Sequence, residues 1–62
     1  MAVLELVDEQ SGKVKYVGFE EDAMDFTKAN PSCTYIVNDI TNDKRKMYKF
    51  KQELAAKINS NS

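Results

Sequence analysis

An α+β fold is expected of this chain: a two-layer β-β-α-β-β-α sandwich, with a four-stranded, mainly antiparallel sheet and two helices on one face. Three observations predict it. The segment "VLELVDEQSGKVKYVGF" places two apolar-rich runs around Glu9-Gln10-Ser11-Gly12, and a glycine closing a four-residue loop marks a β-hairpin. The segment "EEDAMDFTKANP" opens on three acids and ends at Asn30-Pro31, as a helix does. A shift of half the chain length lays Asp8 on Asp39, Lys13 on Lys44, Lys15 on Lys46 and Phe19 on Phe50. Turn, alternation and helix start then coincide, and residues 4-30 and 35-61 read as an internal repeat.

The elements follow in order. If Asp8 faces Lys13 in the first hairpin, Val7 faces Val14, Glu5 faces Tyr16 and Leu4 faces Val17. In the helix that follows, Ala23, Phe26 and Thr27 share one side, and Asn30 is suited to a left-handed C-terminal position. "SCTYIVNDI" is rich in β-branched and aromatic residues and reads as a strand, with Cys33 as a small buried hydrophobe.

"DKRKMYKFK", residues 43–51, admits two readings. Met47, Phe50, Leu54 and Ile58 recur at helical spacing, which supports one long helix and the alternative order β-β-α-β-α. Against it, Lys44, Arg45 and Lys46 in an opening turn oppose the helix macrodipole, at a cost of about 0.3–1 kcal/mol each. That cost and the repeat favour a second hairpin followed by a short helix from about Lys51. The domain then spans 1-59, with 60-62 a frayed polar tail.

Alternation gives the helix-covered face Leu4, Leu6, Val17, Phe19, Cys33, Tyr35, Val37, Tyr48 and Phe50. The other face carries Val3, Glu5, Val7, Val14, Tyr16, Thr34, Ile36, Asn38, Arg45, Met47 and Lys49. An open, solvated face should be polar, and this one is not.

Composition narrows the function classes. A chain of 62 residues is one domain with a small core. It has one cysteine and no histidine, which excludes an intrachain disulfide, a structural zinc site of Cys and His ligands, and His-dependent triads. No phosphate-binding glycine motif is present. The acids Glu20, Glu21, Asp22 and Asp25 fit a solvated helix start better than a cation site. No enzyme activity, cofactor, metal or small-molecule substrate is expected. The N-terminus lacks a basic segment and a long apolar run, and no stretch suits a membrane helix; with a lone cysteine, this predicts a cytoplasmic protein.

Two binding functions are expected in order. The first is a small protein–protein interaction module, a regulator or inhibitor of a larger protein by analogy, which binds another protein or a second copy of itself. Its surface is the open sheet face, through Val7, Val14, Tyr16, Ile36 and Met47, or an edge strand. The alternative is nucleic-acid binding, with Lys13, Lys15, Arg45, Lys46 and Lys49 on phosphates and Tyr16 as the stacking ring. The charge is uneven in a way that suits either, since residues 1–26 are acidic and 27–62 basic.

Overall fold

The computed structural model describes residues 1–60. Its elements are β1 (Val3–Asp8), β2 (Val14–Phe19), α1 (Glu20–Ala29), β3 (Tyr35–Asp39) and α2 (Lys44–Ser60). The fold is α+β, but the antiparallel sheet has three strands in the order β2-β1-β3. The expected fourth strand is absent among the described residues, because residues 44–50 open the long helix α2. The order is therefore β-β-α-β-α, and the two halves 4-30 and 35-61 differ in local structure. The tail expected at 60-62 falls on Ser60, the last residue of α2, and on residues 61–62, outside the described part.

The first hairpin closes as its residues dictate. Asp8 Oδ1 accepts from the Gln10 N–H at 2.8 Å, and Gly12 takes φ +72°, a conformation a side chain disfavours. The Asp8 N–H donates to the Lys13 carbonyl at 2.8 Å. Val7 faces Val14, as expected; then the register shifts by one, and Leu6 faces Tyr16, Glu5 faces Val17 and Leu4 faces Gly18. Lys15 is the extra residue of this β-bulge. One inserted residue exchanges the faces of everything after it. Tyr16 joins Leu4 and Leu6, while Val17 and Phe19 join Val3 and Glu5.

α1 covers the Leu6 face. Ala23 is buried there, and the Phe26 ring stacks on Tyr16 at 4.9 Å and meets Tyr35 edge-on at 5.9 Å. Asn30 ends the helix at φ −128°, not in the left-handed region, and its side-chain amide donates to the Phe26 carbonyl. Cys33 lies before β3 and is exposed, contrary to the buried position expected of it.

α2 covers the opposite face. Lys46 Nζ reaches Glu5 Oε1 at 3.0 Å, and Phe50 meets Phe19 edge-on at 5.5 Å. The helices thus sandwich the sheet instead of sharing one side. This explains why the face expected to be open is apolar at one end: Val3 and Ile40 are buried beneath the start of α2, with the Glu5 carboxylate paired to Lys46 beside them. Burying the aliphatic side chains on both faces, Val3 and Ile40 on one and Leu6 on the other, contributes roughly 1.5–3 kcal/mol each.

Asp43 starts α2. Its carboxylate accepts from the Lys46 N–H at 3.1 Å, and its carbonyl accepts from the Met47 N–H. The cap and its negative charge offset the cations of the first turn. Every residue of α2 beyond Phe50 is exposed.

Candidate binding surface

The uncovered part of the α2 face starts with a row. Val14, Val7 and Ile36 are direct cross-strand neighbours on β2, β1 and β3. Val14 and Ile36 are 52% and 49% exposed, high values for aliphatic residues mid-strand. Of the five residues expected at a partner-binding strip, these three stand together. The Tyr16 ring lies on the other face under Phe26, carried there by the bulge, while the residue, between Lys15 and Val17, also lines the groove beside Val14. Met47 lies on α2, half-buried in a shallow hollow with Thr41, Asn42 and Tyr48.

Val14 also lines a groove of about 520 Å³ between the sheet and the inner side of α2. Its apolar lining includes Val17, Ile40 and Phe50, and its rim carries Lys15, Lys49 and Lys57. Glu5 and Lys46 neutralise one another within it, and Asn38 Nδ2 donates to the same Glu5 oxygen at 3.3 Å. Glu53 is the other acid there. Three cations against one carboxylate leave the groove positive once the Glu5–Lys46 pair is set aside.

The expected nucleic-acid residues divide. Lys15, Lys46 and Lys49 line the groove. Lys13 is exposed beside the hairpin turn, and Arg45 is exposed on α2 away from the groove lining. The one ring expected to stack on bases, Tyr16, is engaged by Phe26. Burial pushes its hydroxyl pKa above the ordinary value, and the nearby charges of Asp22 and Asp25 add to this.

Lys57 was not among the expected site residues, nor were Val17, Ile40 and Phe50. Lys57 was legible only under the helical reading, since residues 46, 50, 53 and 57 follow helical spacing. Val17 was hidden by the bulge.

Other chemistry is sparse. No cluster of His, Cys, Asp or Glu suited to a metal ion occurs among the described residues, and none of their helices is long and apolar enough to cross a membrane. The Asp39 carboxyl is held below its ordinary pKa by hydrogen bonds from the Thr41 hydroxyl and the Thr41 N–H. Comparison with family models, curated proteins and solved structures found no match to the chain.

Proposed function

We propose that this chain is a small non-enzymatic module that binds another protein, as a regulator or inhibitor of a larger one, through the uncovered sheet face beside α2. The observation that carries this reading is the exposed aliphatic row Val14–Val7–Ile36 running into a groove rimmed by Lys15, Lys49 and Lys57. An apolar floor with a cationic rim suits a protein segment that presents apolar and acidic side chains together.

A photo-crosslinking residue placed at Ile36, and separately at Glu21 in α1, tests this in extracts of the source cell. The reading expects a protein adduct from position 36, none from position 21, and loss of the adduct when Val14→Lys is added. Equal adducts from both positions, or none from 36, would sink it.

The lysine rim also supports a second reading, in which the groove follows a nucleic-acid backbone. It lacks a free stacking ring, since Tyr16 and Phe50 are both packed against other rings. Short single-stranded nucleic acid should then bind with a steep salt dependence that Lys15→Ala with Lys49→Ala flattens by about two units of slope. No amide shifts at low salt would exclude it.

A further inference from the structure

The two edges of the sheet are unlike. β2 is guarded by the bulge at Lys15 and by Lys13 beside it. β3, "YIVND", carries no bulge, no proline and no lysine, and Ile36, Val37, Asn38 and Asp39 are all exposed. Its one charge, Asp39, closes the strand and is turned onto Thr41.

The hydrogen-bond phase of β3 is set by its ends. The Glu9 N–H donates to the Thr34 carbonyl and the Ile40 N–H donates to the Val3 carbonyl. With the observed register, residues 34, 36, 38 and 40 turn their backbone groups toward β1. Those of Tyr35, Val37 and Asp39 therefore point outward, to an edge that nothing covers among the described residues.

We infer that this edge pairs with the same edge of a second copy, antiparallel about a two-fold axis at Val37. That register is self-complementary. Val37 faces Val37, each Tyr35 faces the other copy's Asp39, and each Ile36 faces Asn38. The outward N–H and C=O groups of all three outward residues meet their counterparts, and no like charges stand opposite. The pairing is also closed. It yields a continuous six-stranded sheet whose two remaining edges are both the guarded β2, so growth stops at two.

The inference rests on the reading of the chain as an interaction module, but the pairing uses the β3 edge, whereas that reading uses the face beside α2. The test is sedimentation equilibrium of the purified chain over a wide concentration range. The wild type should approach twice the monomer mass. Val37→Lys and Val37→Glu, each alone, should associate about tenfold more weakly or worse, since each sets like charges opposite one another. An equimolar mixture of the two should regain the dimer, because only then do opposite charges meet. Val37→Pro is the backbone control: its lost N–H points outward, so the β1 ladder stays intact while pairing is blocked. Amide spectra establish that each variant folds. A wild type monomeric at every concentration overturns the pairing, as does undiminished association of the single-charge variants or failure of the mixture to recover. Because Ile36 faces Asn38 of the second copy in this pairing, an adduct of the chain to itself from position 36 reports the edge and an adduct to a different protein reports the face, so the adduct's mass tells a failure of the edge from a failure of the face.

Discussion

Tyr16 shows how much hangs on single residues in a sheet this small. It points toward α1 because Lys15 is inserted into the β2 register, and it can lie flat there because Gly18 offers no side chain. A Cβ at Gly18 would stand 2.7 Å from Tyr16 Cε2 and 2.9 Å from its hydroxyl oxygen. The φ of Gly18 is not left-handed, so the need for glycine here is one of space and not of backbone strain. Gly18→Ala must shift the outer atoms of the Tyr16 ring, and with that ring held between the sheet and Phe26, overpacking of this kind costs about 1–3 kcal/mol. Urea unfolding should show that loss. Replacing Tyr16 with leucine in the Gly18→Ala background should recover part of it, since the clash is with the ring. A Gly18→Ala chain as stable as the wild type would mean that Tyr16 has room to move, and that the Tyr16–Phe26 stack contributes little.

At the scale of elements, α2 is where local and distant forces disagree. Residues 44–50 satisfy two periods at once: Lys46, Tyr48 and Phe50 alternate with Arg45, Met47 and Lys49 as a strand does, and Met47 and Phe50 begin a helical stripe. The cost of three cations in a first helical turn is local. It is offset by Asp43 at the cap and by two anchors that lie far away in sequence, Glu5 for Lys46 and Phe19 for Phe50. The cap at Asp43 is a local signal that the sequence reading missed; the anchors were not legible at all, because each needs the fold in order to meet. The first hairpin, its loop and α1 were legible for the opposite reason, being built from residues close in sequence. The same division runs through the candidate site. Val7 and Val14 share a face as expected because they pair before the bulge, whereas Tyr16 lies beyond it and turns its ring to the other face. Asp43→Ala should therefore cost more than a routine cap, at or above the upper part of the usual range of about 0.5–2 kcal/mol, because it removes the capping carboxylate from a helix whose first turn carries Lys44, Arg45 and Lys46, and leaves Glu5 to offset Lys46 alone. Thermal unfolding at low salt measures this, and added salt should narrow the difference from wild type. A difference that salt leaves unchanged would assign the effect to the lost hydrogen bond alone.

The whole molecule holds a core that is small even for its length. Val3, Leu6, Ala23 and Ile40 are its buried apolar side chains, and they sit where the first turns of α2 and the middle of α1 press on the sheet. The rest of α2 adds length without adding core. Leu54 and Ile58 are 37% and 62% exposed, since the helix turns Lys46, Phe50, Glu53 and Lys57 toward the groove and leaves its apolar stripe to one side. The longest dimension of the molecule, 34 Å, exceeds the other two for the same reason: α2 alone is about 25 Å long at 1.5 Å per residue. The fold therefore depends on where α2 begins and not on where it ends. Ending the chain after Gln52 keeps Asp43, Lys46 and Phe50 in place, and should lower the unfolding free energy by less than about 1 kcal/mol, the scale of surface changes. Ending it after Asp43 uncovers Val3 and Ile40 and leaves the Glu5 carboxylate without its cation, and should abolish cooperative unfolding. Urea titrations of both chains against the full-length protein decide the matter. If the chain ending at Gln52 also loses its cooperative transition, Leu54 and Ile58 must support the core in solution. The Lys46–Glu5 ion pair and the Phe50–Phe19 ring contact both fall in the first two turns of α2, and an intact shortened chain would show that the distal half, with the groove residues Glu53 and Lys57, is not needed for folding.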